Sequence, residues 1–599
     1  MAKLVLIDHS LEQVGGHHYE YALHMLQAAA EAGFDIYLAA HRRFSSRGLP
    51  VAAPVFPLFA HNTYAPYASY IVRGLARPMD LIPLPGARDY GWLEPLRQRW
   101  CARDRRRRTR HFAEACRELF RQVHLASGDQ VFLPTLSEFD LAGLVEFLAA
   151  EPATRRADWH LQFHFGVFDG RVPDYAEPHQ QARLRAMREV FQRQLQRVPE
   201  HRLWFWSTTA EMADQYNRLA VAPFRELPYP VNPEYCVEET PRRGGPLRVT
   251  CAGYLRAEKG RNEVGAVITE LWEQYAARGR IQWWIQGTAR QLRKVVPRGS
   301  RIASPTDVRR DGDDPPVVAV PHPLPPQPYA ALIRGTDIGL FLYDSWRYYA
   351  RCSGILVEML SAGVPVVVPA GCWPAEQIAP RVHDHAAQAA AAGPLLSELR
   401  GADLVWRPAG TAVASEFGSV RLGDCQHGCW TEVSVPEHAT DAVCSFVWRA
   451  PRDRGTYVRL ELQQSAADGS ALGRTVRVLG HDRGDGRVAA LVSLDPHGRR
   501  VRCALSNAYH SAPVAIDDFA IQFLGPTADG RPRPQSAVGL SAADATEIPR
   551  LLRELIEHHA HYRATARDFA RTWYAEHHPR QTLARLLDRA GRAADRRAM

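Results

Sequence analysis

The chain has 599 residues, 46% hydrophobic and 23% charged, a composition that excludes disordered and fibrous proteins. It is long enough for roughly three or four domains, and it has no apolar run of the length that a membrane-spanning helix needs. The ten cysteines are scattered, which favours reduced thiols over a disulfide framework. The start, MAKLVLIDHS, turns polar too early for a signal peptide, so we expect a cytoplasmic protein.

Strand and helix patterns alternate through residues 1–238, which predicts a first Rossmann-like α/β domain. The buried-strand pattern KLVLID is followed by a loop, a helix to about Ala32 and a second strand, FDIYLAA. Gly15 and Gly16 lie where the first strand passes into this helix. Glycines at that point let the backbone approach a phosphate or a sugar closely. Residues 44–100, rich in proline, aromatic and arginine residues, are predicted to be irregular or an insertion.

The run WHLQFHFG at 159–166 is predicted to be a later strand of the same domain. It places His164 at a carboxyl strand end, where open α/β sheets bind ligands. A packed or partly exposed histidine without a chemical role is the alternative. Residues 236–246, CVEETPRRGGP, read as a linker because charge, proline and glycine come together there.

A second Rossmann-like domain is predicted at 246–410, with ADLVWRP at 402–408 as its last strand. Its first strand ends at Gly253, and Arg256 and Lys259 follow before a helix from about Arg261 to Ala277. Two cations before a helix are well placed to neutralise a diphosphate. Two solvated surface charges are the alternative.

The most informative stretch runs from Thr336 to Pro374 and has the pattern strand, loop, helix, strand of a parallel βαβ unit. The helix begins near Ser353, Gly354 and Ile355, and its free N–H groups favour phosphate. Glu358 lies about one turn into the helix, where a carboxylate can accept hydrogen bonds from sugar hydroxyls. An isolated helix glutamate is more often simply solvated.

The sequence SGILVEMLSAGVPVVV at 353–368 resembles the donor-sugar motif of GT-B-fold glycosyltransferases, the large class related to glycogen and sucrose synthases. The resemblance implies that Glu358 holds the ribose of a nucleotide-diphosphate sugar bound between two Rossmann-like domains. It also implies a mainly retaining sugar transfer, with the nucleotide sugar as substrate. No acidic metal motif is evident, so we expect no cofactor or metal. The class usually carries a second glutamate at the position of Ala350, so Arg351 or Tyr349 is a candidate replacement here.

Two further segments are similar to the same class. GYLRAEKG at 253–260 resembles its Gly-Arg-Leu-x-x-Glu-Lys-Gly loop, with Tyr254 in place of arginine and Arg256 as a possible substitute. The pair Gly15–Gly16 resembles the loop between acceptor and donor, and residues 44–100 would then be an acceptor-side insertion. The resemblance also implies that His164 lies near the reacting carbon. The acceptor, a glycan or a lipid-linked molecule, is left open.

From about Glu416 to Pro526 the pattern changes to short alternating runs separated by Asp, Gly and Pro, which predicts an antiparallel β-sandwich. Its strand pattern resembles jelly-roll carbohydrate-binding modules, and a structural or interaction module is the alternative. Cys425, His427 and Cys429 do not have the spacing of a zinc pair, so no metal is expected. The sandwich is predicted to be inserted before closing helices at 540–599, which pack back on the α/β domains.

The net charge of +9 is concentrated in part in CARDRRRRTRHF at 101–112. No aromatic stacking platform accompanies this run, so nucleic acid is not the expected partner. A solvated helix face is the default, and contact of 103–110 with an anionic membrane at its cytoplasmic face is the alternative. For the whole chain, the alternatives to an enzyme of sugar transfer are a non-catalytic GT-B-fold protein that binds sugar through its sandwich and a different GT-B reaction.

Overall fold

The computed structural model describes residues 1–45, 47, 49–63, 94–168, 172–175, 177–236, 244–307, 314–409, 413–414, 420–422, 428–449, 457–480, 486–509 and 514–588. Residues 64–93 of the predicted insertion lie outside these ranges, as do Cys425 and His427 and most of the predicted linker at 236–246.

The first domain is a seven-stranded, wholly parallel sheet of order β3-β2-β1-β4-β5-β6-β7. Its strands are β1 Lys3–Asp8, β2 Asp35–His41, β3 Val55–Phe59, β4 Gln130–Leu136, β5 Asp158–Phe163, β6 Arg202–Ser207 and β7 Phe224–Glu226. Its helices are α1 His17–Glu31, α2 Glu94–Gln122, α3 Glu138–Ala150, α4 Pro178–Leu195 and α5 Ala210–Asn217. Strand order reverses between β1 and β4, and an α/β sheet binds ligands at such a point.

The second domain is a further seven-stranded parallel sheet, of order β10-β11-β9-β8-β12-β13-β25. Its first six strands are β8 Leu247–Cys251, β9 Ile281–Gln286, β10 Ile302–Ala303, β11 Val317–Val320, β12 Ile338–Leu340 and β13 Val366–Pro369. Its helices are α6 Val264–Leu271, α7 Ala289–Leu292, α8 Pro326–Arg334, α9 Gly354–Ser361, α10 Trp373–Glu376 and α11 Ala379–Ala392. Two such parallel sheets with helices in one chain confirm the predicted pair of Rossmann-like domains.

The last strand of this second sheet is not the one predicted. It is β25, Gly539–Ala542, which pairs with β13 after the whole sandwich has intervened. Gly539 permits this pairing because a Cβ there would lie 2.3 Å from the carbonyl oxygen of Val366. The prediction of 402–408 as the closing strand is therefore wrong, and so is the placing of the sandwich after the last strand of the domain.

The sandwich contains two antiparallel sheets and begins earlier than predicted, at β14 Leu395–Arg400. One sheet contains β14, β16 Val413–Ala414, β17 Val420–Leu422, β19 Asp441–Arg449, β22 Gly486–Ser493 and β24 Val514–Leu524. The other contains β15 Arg407–Ala409, β18 Gly428–Ser434, β20 Tyr457–Ser465, β21 Ala471–Gly480 and β23 Arg500–Asn507. The end of the run ADLVWRP is thus part of β15, which pairs with β18.

The chain closes with α12 Ile548–Glu557, α13 His559–His577 and α14 Pro579–Leu587, as predicted. The indole of Trp573 donates to the carbonyl of Val357 in α9 at 3.3 Å. The amide of Val231 donates to the carbonyl of His577 at 3.0 Å. These helices therefore hold the two α/β domains together.

Within the described ranges, no helix is both long enough and apolar enough to cross a membrane. The eight cysteines whose side chains the structure describes are free thiols.

Candidate functional site

The two α/β domains touch along the edge where their strands end. The hydroxyl of Thr209 in the first domain donates to the carbonyl of Ala350 in the second at 2.7 Å. Gly15 lies so close to the second domain that a Cβ would be 3.2 Å from the carbonyl oxygen of Leu324. Gly15 and Gly16 have φ values of 90° and 81°, a region that favours glycine. The Gly-Gly loop therefore forms part of the wall of the interdomain cleft.

The start of α9 forms part of the opposite wall. Ser353 caps the helix, and its hydroxyl accepts from the amide of Leu356 at 3.3 Å. Gly354 brings the first turn against the first domain, since a Cβ there would lie 3.3 Å from the ring of Tyr229. The first amides of a helix have no carbonyl partner within it, so this end is suited to an anion.

Lys259 lies beside this helix start. A Cβ on Gly253 would be 2.8 Å from the ammonium nitrogen of Lys259 and 2.7 Å from Cδ1 of Ile355, so the three residues meet at one point. The Lys259 nitrogen also lies 5.1 Å from the centre of the Tyr343 ring. Burial, assisted by the positive charge of Arg256, lowers the pKa of Lys259 to about 8. Lys259 is therefore mostly charged at neutral pH in a partly dehydrated setting.

Arg256 lies at the rim of the same crevice. Its side chain is 60% exposed and lies 3.7 Å from Glu258. Its charge acts on Lys259 and on His17 across the cleft. Tyr254, at the position where arginine was expected, is exposed, and its hydroxyl accepts a 2.8 Å hydrogen bond from Gln291. Arg256 therefore contributes positive charge to the cleft from its solvent-exposed rim.

Glu358 is buried in the same crevice. It accepts a 2.6 Å hydrogen bond from the hydroxyl of Tyr329. Burial, with a contribution from Glu20, raises the pKa of Glu358 to about 8, and the charge of Lys259 opposes this rise. Glu358 lies one turn along α9 from Ile355, which meets Lys259, and the charges of Lys259 and Glu358 affect each other's pKa. Sequence reasoning missed Tyr329 and Glu20, which no local motif marks.

His164 follows β5 on the first-domain side. One ring nitrogen bonds to the carbonyl of Pro134, and Nε2 is buried without a hydrogen-bond partner in the described part of the chain. Burial, with the nearby His18, lowers the pKa of His164 to about 4. The ring is therefore neutral at pH 7. If Nδ1 donates to the carbonyl, Nε2 can accept a hydrogen bond but cannot give one.

Sequence reasoning missed a carboxylate–histidine pair in the same wall. Oδ2 of Asp8 lies 3.0 Å from Nδ1 of His18, and Oδ1 accepts from the amide of Ser10 at 2.9 Å. Burial alone would raise the pKa of Asp8, but the charge and hydrogen bond of His18 and the amide of Ser10 lower it below its ordinary value. The available signal was an aspartate ending the first strand and a histidine ten residues later at a helix start.

The two candidate replacements for a glutamate at Ala350 lie in different surroundings. Tyr349 is buried, with its ring centre 6.1 Å from those of Tyr457 and Tyr509 in the sandwich. Arg351, in contrast, is close enough to affect the pKa values of both His164 and Lys259. Of the two candidate replacements, Arg351 belongs to the cleft and Tyr349 to the contact with the sandwich.

A separate cavity of about 200 Å³ lies between the two domains and the closing helices. None of the predicted site residues lines it. Its lining includes Tyr229, Cys352, Val357, Trp373, Trp573 and His577. Within the described ranges, no group of three or more His, Cys, Asp or Glu side chains could hold a metal ion.

Comparison with known proteins yields structures only, because no family model and no curated protein matches the sequence. The chain is similar to sucrose-phosphate synthase from Thermosynechococcus elongatus at 11% identity, covering 64% of this chain and 85% of that one, with a TM-score of 0.37. The chain is also similar to the N-terminal domain of Candida albicans trehalose-6-phosphate phosphatase, at 10% identity, covering 64% of this chain and 85% of that one, with a TM-score of 0.39. A third similar structure is the CBM22-1 xylan-binding domain from Paenibacillus barcinonensis, at 12% identity, covering 23% of this chain and 98% of that one, with a TM-score of 0.18.

Proposed function

We propose that this protein is a glycosyltransferase that moves a sugar from a nucleotide-diphosphate sugar to a glycan or lipid-linked acceptor. One observation carries the proposal: Lys259 meets Ile355 at the start of α9, and Glu358 lies one turn further along the same helix, between two Rossmann-like domains. The site combines a cation and free helix amides with the carboxyl group of Glu358, whose oxygens can accept hydrogen bonds. These groups match the diphosphate and the ribose of such a donor.

The leaving group in this reaction is a nucleoside diphosphate, so the barrier depends on stabilising negative charge on phosphate oxygens. Lys259 and the first amides of α9 supply that stabilisation in our proposal, with Arg256 at the rim. Arg351 adds a third cation between Lys259 and His164. Domain closure would exclude water that could hydrolyse the donor.

On the first-domain side, His164 is proposed to hold the transferred sugar by accepting a hydrogen bond from one of its hydroxyls. A base with a pKa of about 4 removes protons poorly at pH 7, so proton acceptance is not the role assigned to His164. The nearby pair of Asp8 and His18 has the geometry of a carboxylate-oriented imidazole, which suits the acceptor hydroxyl better.

We propose that the transfer retains the anomeric configuration, as the sequence resemblance implies. Inversion is the alternative, because a histidine oriented by Asp8 at the acceptor hydroxyl is also compatible with a direct inverting attack. Proton NMR of the freshly formed product separates the two, because an α-linked donor gives an α product by retention and a β product by inversion.

The proposal is tested by incubating the full chain with UDP-, GDP- and ADP-sugars and measuring nucleoside diphosphate release. Release that depends on one donor, and that falls in Lys259→Ala, supports the transferase. Binding of a nucleotide sugar without release, with or without acceptors, would instead favour a non-catalytic GT-B-fold protein. Absence of any nucleotide binding would contradict both readings.

We further propose that the protein is cytoplasmic and reaches anionic membranes through residues 103–110 of α2. Arg103, Arg105, Arg106, Arg107 and Arg110 are exposed on this helix. Basic side chains at a surface are attracted to acidic lipid by about 1 kcal/mol each. Co-sedimentation with phosphatidylserine vesicles, but not with neutral vesicles, is the expected result, and equal behaviour with both would contradict it.

A further inference from the structure

The outer face of the five-stranded sandwich sheet carries an arginine-flanked tryptophan. The guanidinium carbon of Arg502 lies 4.1 Å from the ring centre of Trp430, and that of Arg407 lies 4.9 Å from it. Arg407 pairs with Trp430 across β15 and β18, and Trp430 pairs in turn with Ala504 on β23. We call the surface formed by Arg407, Trp430, Arg502 and Ala504 the Trp430 face.

The charge around the Trp430 face is positive. Five arginines and two glutamates project from the strands that form it: Arg407, Arg459, Arg474, Arg500, Arg502, Glu432 and Glu461. Glu461 is held by Arg474 through two hydrogen bonds of 2.7 and 2.8 Å. Arg407 and Arg502 are exposed beside the indole. Their flat guanidinium groups therefore lie over the indole and remain open to solvent.

The shape of the face suits an extended chain. Ala504 and Ser506 follow one another along the outward side of β23, and their small side chains leave a shallow floor between Trp430 on β18 and Arg459 on β20. This floor of small side chains can pack against the apolar side of a sugar ring, while the arginines over the indole pair with carboxylates. Glutamate oxygens at the edges can accept hydrogen bonds from hydroxyls.

We propose that the Trp430 face binds an acidic polysaccharide, whose carboxylates pair with Arg407 and Arg502. A single-stranded nucleic acid is less suitable, because it needs several successive stacking rings and the described part of the face offers one. Binding of the polysaccharide does not depend on the proposed transferase. Only the delivery of the glycan to the cleft rests on that function.

The Trp430 face lies close to the loop before α9, which borders the cleft. Tyr457 projects from the same side of β20 as Arg459 and Glu461, and its ring packs against Tyr349 in the loop before α9. At about 3.3 Å per residue, Glu461 is only about 13 Å along the strand from that contact. A glycan on the face would therefore run toward the loop that contains Arg351.

Affinity electrophoresis of the full chain tests the proposal, with polygalacturonate in one gel and neutral xylan in another. We expect retardation by polygalacturonate and little by xylan, weakening as salt is raised to about 0.3 M. The double variant Arg407→Gln/Arg502→Gln should weaken binding about tenfold or more. The matched control is Arg449→Gln/Arg487→Gln, which removes two exposed, ion-paired arginines from the other sheet.

The variant Trp430→Leu, which keeps apolar bulk without the ring, should also weaken binding several-fold, and circular dichroism checks that each variant is folded. The proposal is overturned if polygalacturonate does not retard the protein in low salt or if xylan retards it more strongly. It is also overturned if the control variant loses as much binding as the double variant, or if a single-stranded oligonucleotide competes more effectively than free oligogalacturonate. If the protein binds polygalacturonate but does not turn over any nucleotide sugar, the proposed transferase is contradicted and the proposed binding at the Trp430 face is supported.

Discussion

Replacing Lys259 with methionine should remove most turnover and at the same time stabilise the protein. The folded protein holds the Lys259 proton less tightly than the unfolded chain, because burial and Arg256 lower its pKa from the ordinary 10.5 to about 8. That difference corresponds to about 3 kcal/mol at 1.36 kcal/mol per pKa unit. Since the side chain is only partly buried, we expect Lys259→Met to raise the free energy of unfolding by about 1–3 kcal/mol at pH 7.

The sign of the effect fixes its pH dependence. Between pH 8 and 10.5 the unfolded chain binds more protons than the folded protein, so wild-type stability rises with pH in this window. The advantage of Lys259→Met should therefore shrink across the window and disappear near its upper end. Urea unfolding at a series of pH values measures it.

Turnover should fall in the same variant, because one charge near a diphosphate is worth up to about 4 kcal/mol at 4 Å with an effective dielectric of 20. Arg256 and the α9 amides would retain part of this, so we expect a loss of about 10²- to 10³-fold in kcat/KM. The matched control is Lys294→Met on the exposed surface of the same domain, which should change stability by less than about 0.5 kcal/mol. Wild-type turnover in Lys259→Met, or a stability equal to wild type at pH 7, would refute the reasoning.

Three further predictions follow from the cleft. Burial raises the pKa of Glu358 to about 8, so between pH 4.5 and 8 the unfolded chain loses this proton first and wild-type stability falls as pH rises. Glu358→Gln should flatten that fall in urea unfolding. It should also weaken nucleotide binding about tenfold in calorimetry. Gly253→Ala should cost about 1–3 kcal/mol in thermal unfolding and lower turnover, because its Cβ would displace Lys259 and Ile355, whereas unchanged kinetics would disprove the contact. Arg351→Ala should lower kcat at least tenfold with little change in Tm, and Tyr349→Ala should instead lose about 3–5 kcal/mol of stability, so a reversed pattern would contradict their placement.

The strand pattern of the sequence was sufficient to predict both parallel sheets and the seven long strands of the sandwich. Strands buried on both faces, such as β1 and β13, are short apolar runs, and the sandwich strands alternate. Local pattern does not reveal the pairing partner, however. The end of ADLVWRP looked like another strand of the second domain, but β15 pairs with β18. The strand β25 was missed because GLSA has almost no strand propensity and pairs through the close approach at Gly539.

Some residues of the candidate site could be predicted from local sequence motifs, and others could not. Residues within a local motif, such as Ser353, Glu358 and Lys259, could be selected because the motif keeps their spacing. The pair formed by Asp8 and His18 depends on where a loop folds back, which spacing alone does not determine. Sequence also could not choose between Arg351 and Tyr349, since neighbouring residues in an irregular loop can point in opposite directions.

A crystal structure of the full chain soaked with uridine diphosphate or guanosine diphosphate tests the central claim most directly. The account predicts diphosphate oxygens within hydrogen-bond distance of the Lys259 ammonium and the first amides of α9, with the ribose beside Glu358. A nucleotide bound elsewhere, for example in the cavity lined by Trp373 and Trp573, or an empty cleft at millimolar nucleotide, would contradict it.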